Sequence, residues 1–272
     1  MIRKFFWVFV GCLIAQYCSA AVFQWTDGQG RKHYSDQSNS QTVELKFTPS
    51  YSYYAVKKVY DGDTVQLRDG RKIRLLAINT PEVEHNNQVA QAGGEAAKKW
   101  LIKTLKGKKI RLEFDQERRD KYKRHLAHIF TDQGEHINYE LVRLGYASVN
   151  VFPPNLKYIP ELMDQQQIAE SQQRGIWGES EYKIKSINQI KKANSKGWQR
   201  ISGTVSAIKF TSKSVYLKFI GNFEVRIKKE HLKFFGDVQA LKGQKVEVRG
   251  WLNRSKKGFK MLVKHPSALN TL

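Results

Sequence analysis

Asp61-Gly62-Asp63-Thr64 and Arg74-Leu75-Leu76-Ala77-Ile78-Asn79-Thr80-Pro81-Glu82 are the stretches of this chain whose residue types and spacing could do chemistry. The turn signal Asp69-Gly70 between them predicts a β-hairpin whose strands run back past one another. Asp63, near the start of the first strand, should then meet Asn79 and Thr80 after the second. Carboxylate, amide and backbone oxygens gathered in that way suit a hard divalent cation such as calcium. Glu82 supplies a candidate general base, and Arg74 a planar guanidinium that can hold two phosphoryl oxygens. Alone, Asp-Gly-Asp-Thr would be read as a turn; the partner segment makes it a candidate site. The chain carries 47 Lys+Arg against 25 Asp+Glu, a formal net charge of +22. Such an excess suits a polyanion, and a cation-holding cluster in a basic surface suits hydrolysis of a nucleic-acid phosphodiester. A solvated basic surface or attraction to an anionic membrane would explain the charge but not the motifs.

Those groups need a rigid frame. Strands are expected over 55–60, 64–67, 72–78, 109–114 and 126–130. Helices are expected over 95–105, where Ala97, Trp100, Leu101 and Leu105 share one face, over 139–144, capped by Asn138 and stopped by Gly145, and over 160–174, opened by Pro160 and stopped by Gly175. Strands with helices beside them predict an α+β domain spanning 54–178. The polar, lysine-rich stretch 179–197 reads as a linker. Beyond it, strands over 201–208, 214–219, 223–227, 244–252 and 259–263, with a helical turn at 231–235, predict a second small OB-like β-barrel over 198–272.

The region from Val56 to Trp177 resembles the staphylococcal nuclease (thermonuclease) family. The matching runs are Val59-Tyr60-Asp61-Gly62-Asp63-Thr64-Val65, Ile73-Arg74-Leu75-Leu76, Thr80-Pro81-Glu82, Asp120-Lys121-Tyr122-Lys123-Arg124 with Leu126-Ala127, and Asn138-Tyr139-Glu140-Leu141-Val142-Arg143-Leu144-Gly145. The resemblance implies an OB-type five-stranded barrel with flanking helices and calcium-dependent hydrolysis of DNA and RNA. It makes Asp63 a ligand of the ion, Thr80 a ligand through its carbonyl, and Asn79 the occupant of a position where the family usually has aspartate. It matches Glu82 to the residue that activates water, and Arg74 and Arg124 to the arginines that grip phosphate. Lys121 and Tyr122 then border the phosphate site and Phe152 the nucleotide, although core packing is the default for a phenylalanine there. Three departures stand out. Asn79 offers a neutral oxygen, which predicts weaker calcium binding or more tolerance of other divalent ions. Lys123 and His125 flank Arg124 where the family often has glycine. The segment 83–94 differs and leaves Glu84 without a role. A nuclease fold weakened in catalysis that binds nucleic acid is the alternative to an active enzyme.

Met1-Ile2-Arg3-Lys4, an apolar run over 5–15 and Cys18-Ser19-Ala20 predict a secretory signal over 1–20 and a secreted or periplasmic protein. Both cysteines, Cys12 and Cys18, lie inside it, so the mature chain would hold any metal by oxygen or imidazole. His85, His125, His128, His136, His231 and His265 show no ligand spacing. Residues 21–50 read as a small hairpin domain and linker, and Trp25-Thr26-Asp27 with His33-Tyr34-Ser35 resembles a short N-terminal domain of unknown function of exported bacterial proteins. In the C-terminal region Trp198, Phe210, Tyr216, Phe223 and Trp251 lie among Lys209, Lys213, Lys218, Arg226, Lys228 and Lys229, which would suit a second nucleic-acid surface if not taken up by the core.

Overall fold

The computed structural model describes residues 22–38, 40–45, 51–84, 90–190, 197–255 and 258–272. The expected signal over 1–20, both cysteines and His85 lie outside them. The chain divides into two compact units, Met1–Tyr51 and Ser52–Leu272.

In the first unit, β1 (Val22–Thr26) pairs with β2 (Lys32–Ser35), and β3 (Val43–Leu45) adds on the other edge of β1. The turn is held by Asp27, whose carboxylate accepts from the Gln29 and Arg31 N–H groups and from His33. β3 falls in the stretch read from its polarity as linker: three residues with no alternation signal become a strand because the open edge of β1 offers a ladder.

The second unit begins with β4 (Tyr53–Val59), β5 (Thr64–Leu67), β6 (Lys72–Leu75) and β7 (Ile78–Asn79), followed by α1 (Gly94–Leu105), β8 (Lys109–Glu113), β9 (His125–Thr131), α2 (Ile137–Arg143), β10 (Ser148–Val149) and α3 (Ile159–Ser171). Five strands close into a barrel in the order β4-β5-β6-β9-β8, with β6 and β9 parallel and the other pairs antiparallel. Val65, Leu67, Ile73, Leu75, Ile110 and Ile129 fill it, joined by Leu101 and Leu105 of α1, Leu141 of α2 and Leu162 of α3. Each such side chain contributes about 1.5–3 kcal/mol by leaving water, so the barrel is a rigid mount for whatever its loops carry.

Two local expectations are corrected. The strand expected over 72–78 breaks after Leu75, because Ala77 takes a left-handed backbone (φ 62°), and resumes as β7, which leaves the barrel to pair with β10. Asn138 does not cap α2. It sits inside the first turn, completely buried, where its amide donates to the Leu76 carbonyl and its oxygen accepts from the Ile129 N–H, tying β9 to the segment that carries Asn79.

The rest of the second unit contains β11 (Lys185–Ser186), β12 (Trp198–Phe210), β13 (Ser214–Phe219), β14 (Phe223–Lys228), β15 (Lys245–Trp251), β16 (Asn253–Ser255), β17 (Gly258–Val263) and β18 (Leu269–Thr271). They form one eight-stranded sheet ordered β16-β17-β14-β13-β12-β15-β18, with β11 alongside β12. The long β12 serves two partners because a bulge between Val205 and Ala207 changes its pairing from β15 to β13. Its five main strands repeat the partner order of the first barrel, including one parallel pair, β14–β17. Closure into the expected second barrel is not seen among the described residues. β15 and β17, the strands that would have to meet, lie beside each other without a ladder; β16 covers only residues 258–260 of β17, and β18 only 246–248 of β15.

The stretch 179–190, expected as linker, is folded against this sheet. Tyr182 is buried beside Trp177 and Trp198, β11 pairs with Ile201–Ser202, and Ser186 and Gln189 form a reciprocal capping box. Glu170 of α3 bonds to Arg200 of β12 and Arg249 of β15, and Glu247 bonds to both arginines. All four are largely buried.

Candidate active site

The bend at 61–63 is the floor of the site. A Cβ on Gly62 would lie 2.6 Å from both the Ala97 Cβ and the Thr80 Cγ2, so only glycine lets this bend rest on α1 and the Thr80 segment together. The neighbouring Asp63 is thereby buried at 5% exposure and fixed on several sides. Its Oδ2 accepts from the Thr80 N–H (2.9 Å) and pairs with Arg74 Nη1 (2.9 Å), while its Oδ1 accepts from the Thr64 hydroxyl (3.1 Å). Arg74 comes from β6, where it stands opposite Thr64. Its guanidinium also donates to the Leu75 carbonyl (3.0 Å) and to Asn79 Oδ1 (3.2 Å). The Asn79 amide in turn donates to the Thr80 carbonyl (3.1 Å). β10 secures this segment through the Ser148–Asn79 pair, and the Gln166 side chain of α3 accepts from the Val149 N–H.

Glu82 follows on an exposed stretch. Gln91 clasps its backbone in both directions, donating N–H to its carbonyl and accepting its N–H through Oε1. Gly94 is needed here too, since a Cβ would come within 2.6 Å of the Glu82 carbonyl oxygen. Desolvation and then the Asp63 charge raise the pKa of Glu82, while Arg74 and Arg124 oppose them, so the five-membered set Asp63, Arg74, Thr80, Glu82 and Arg124 shares one electrostatic neighbourhood. Arg124 is delivered by a tight turn in which Asp120 accepts from the Tyr122 and Arg124 N–H groups and from Arg124 Nε (2.8 Å). Lys123 occupies the left-handed region there (φ 64°), a backbone that glycine adopts without strain.

Lys121 and Tyr122 project from the same turn; the Tyr122 ring is 67% exposed, with the Lys121 ammonium 4.8 Å from its centroid. Phe152 follows β10 by three residues. It is half exposed and lies under the ammonium of Lys264, from the C-terminal sheet, 4.2 Å from the ring centroid.

Sequence reasoning gave no role to Asp61. Burial first, and then the neighbouring Asp63 charge, push its pKa up to about 7. The signal was present in the acid spacing of Asp61-Gly62-Asp63, but its burial was not legible. Asp120, Gln91 and Ser148 were also missed as positioning residues, because each acts through backbone contacts that no spacing rule encodes. Among the described residues no three His, Cys, Asp or Glu side chains are gathered closely enough to form a metal cage by themselves.

A family model described as staphylococcal nuclease homologue matches residues 72–179, and a domain of unknown function matches 11–53. The thermonuclease of Staphylococcus intermedius is 38% identical over 127 residues, which are 46% of this chain and 75% of that protein. Endonuclease YncB of Bacillus subtilis is 38% identical over 172 residues, covering 58% of this chain and 81% of the relative. An uncharacterized protein of Methanocaldococcus jannaschii, MJ1439, is 30% identical over 201 residues, covering 65% and 95%. The chain belongs to the staphylococcal nuclease family. The matched span of the family model begins after Asp63, so Asp61 and Asp63 are tied to the site by geometry and by the hairpin that precedes Arg74.

Proposed function

We infer that this protein is an exported, divalent-metal-dependent nuclease that hydrolyses phosphodiester bonds of DNA and RNA with little sequence specificity. The observation that carries this reading is the contact of Asp63 with Arg74 and Thr80 beside a Glu82 whose ionisation responds to Asp63, Arg74 and Arg124.

The donor set fits a hard cation. Burial first, and then the charge of Asp63, raise the pKa of Asp61, a shift that a cation beside the two carboxyls would oppose. Asp63 would be its carboxylate ligand, with the Thr80 carbonyl and Asn79 oxygen beside it; calcium is the ion this oxygen chemistry favours. Bound there, the ion would stabilise charge on the phosphoryl oxygens and help acidify water. The rest falls to the chain. Arg74 and Arg124 present guanidinium forks to the phosphate, and Glu82 takes the proton of the attacking water at its carboxylate. Asp120 aims Arg124 by occupying its Nε, and Asp63 and Asn79 restrict Arg74. Lys121, Tyr122 and Phe152 line the approach of the strand, the aromatic faces offering stacking to any base. The leader over 1–20 and the short N-terminal unit accord with export to the periplasm or medium. Among the described residues no helix is long and apolar enough to cross a membrane.

One observation favours a second reading, a nuclease fold that binds nucleic acid but cleaves it poorly. The Asn79 amide already occupies the Thr80 carbonyl. The protein, assayed on single- and double-stranded DNA and RNA with calcium or chelator, separates the two. Calcium-dependent cleavage abolished in Glu82→Gln and Arg124→Ala supports the enzyme. Tight binding without cleavage under any divalent metal overturns it.

A further inference from the structure

A cleft of ≈ 260 Å³ opens between the first barrel's β10 segment and the C-terminal sheet. Val149, Asn150 and Phe152 form one wall; Trp198, Trp251 and Lys264 stand on the other. None of the acids or arginines of the candidate active site lines it, yet it adjoins that site by two routes. Its first wall grows out of β10, where Ser148 faces Asn79 and the Asn150 N–H donates to the Ala77 carbonyl (2.8 Å). Its second wall brings Lys264 into electrostatic range of Lys121, in the turn that carries Arg124.

The lining is aromatic and cationic. Phe152 and Trp251 keep 49% and 43% of their surface open to solvent, an unusual exposure for such large rings. Lys264 is half-buried over Phe152; desolvation first, and then Lys228, lower its pKa, Glu117 and Glu230 oppose that shift, and Lys121 adds a smaller like charge. Arg249, by contrast, is already matched by Glu170 and Glu247 and holds the wall in place.

We propose that this cleft is a subsite for an unpaired segment of the polynucleotide, with Phe152 and Trp251 stacking on bases and Lys264 meeting a backbone phosphate. It rests on the nuclease reading for the identity of the strand and adds to it a grip supplied by the C-terminal sheet. Stacking platforms need bases released from their own stack, and aromatic faces accept any base. Continuity with the site around Arg124, together with the lysine charge, favours this occupant over a protein partner.

The test uses the full chain in chelator, with a fluorescent dT12 and a 12-base-pair duplex as probes in anisotropy titrations. Trp251→Ala should weaken dT12 binding about tenfold, within what loss of one base–aromatic stack gives, and duplex binding far less. Trp251→Phe should restore it, which separates stacking from misfolding. Lys264→Ala should weaken dT12 and reduce the magnitude of the slope of log K against log salt by about 0.7. Ile220→Ser, at an exposed residue outside the lining, should bind as wild type. Unchanged dT12 affinity in both cleft variants, or equal losses on dT12 and duplex, overturns the subsite. Cleavage of DNA in calcium combined with such a null result would leave the nuclease reading standing. Loss of dT12 binding in the cleft variants without any cleavage by the wild type would overturn the nuclease reading and keep the subsite.

Discussion

Asn79→Asp changes one atom of a side chain that makes two contacts, and its effect should reverse sign with calcium. The Asn79 amide nitrogen lies 3.1 Å from the Thr80 carbonyl oxygen, and its oxygen lies 3.2 Å from Arg74 Nη2. In the aspartate variant the donor becomes an anionic oxygen facing a carbonyl oxygen. Without a cation, the lost hydrogen bond costs about 1 kcal/mol. A new charge sharing Arg74 with Asp63 adds repulsion, which its own pairing with Arg74 partly offsets. With calcium the same carboxylate becomes a second charged ligand, and the net gain after desolvation should be about 1–3 kcal/mol, or roughly 5- to 150-fold in affinity. Calorimetric calcium titrations and thermal melts with calcium or chelator measure both halves. The variant should melt lower than wild type in chelator and bind calcium more tightly. Equal calcium affinity in the two proteins would refute the reasoning, because it would mean that position 79 does not face the ion.

Three further perturbations follow from the packing. Gly62→Ala forces a methyl into contacts of 2.6 Å with Ala97 and Thr80, which should cost about 1–3 kcal/mol, visible as a lower melting temperature, and should abolish cleavage by displacing Asp63. His128 and His136 hydrogen-bond to each other at 3.2 Å, and burial lowers their pKa values to about 3 and about 4. Because the unfolded rings protonate first, near pH 6.5, their contribution is whole above that pH and declines as pH falls toward 4 and 3, at no more than about 1.4 kcal/mol per pH unit for each ring. Urea denaturation of wild type and His136→Gln between pH 4 and 7 should show a shallower slope in the variant, and parallel slopes would rule the pair out as the cause. Glu170→Gln leaves Arg200 and Arg249 with only Glu247 and should destabilise the second unit by about 3 kcal/mol in the same denaturation assay.

The parts of the fold that could be read from sequence are those encoded locally. Ala97, Leu101 and Leu105 share a helical face, and the Asp69-Gly70 turn sets Thr64 opposite Arg74, which brings Asp63 to the guanidinium. Elements built by partners far away were not readable. β3, β7 and β10 have two or three residues each and exist because another strand edge accepts them. Asn138 has the composition of a helix cap, but Leu76, 62 residues earlier, claims its amide. The second barrel was expected from five strand-like stretches; β16 and β18, too short to stand out, extend the sheet at its two ends. At the site itself, residue types could be named from spacing, whereas the occupation of the Thr80 carbonyl by Asn79 depends on a rotamer that no pattern specifies.

Helix α3 links the β10 segment to the C-terminal sheet. Near its middle Gln166 accepts from the Val149 N–H, fixing β10 and through it the Asn79 segment. One turn later Glu170 binds Arg200 and Arg249 and so fixes the strands whose ends carry Trp198 and Trp251. Breaking such a buried charge group leaves an unpaired guanidinium in a poorly solvated place, so the two walls should not slide independently. Trp177, beneath both arginines with centroid distances of 5.3 and 6.0 Å, adds a cation–π contribution to the same joint. A rigid joint is what a subsite beside a catalytic centre requires, because stacking energy from a remote base aids the reaction only if the scissile phosphate is held in register with it. Under the proposed subsite the C-terminal sheet would be the other half of a substrate groove, and the four-charge cluster over Trp177 would let the two halves act together.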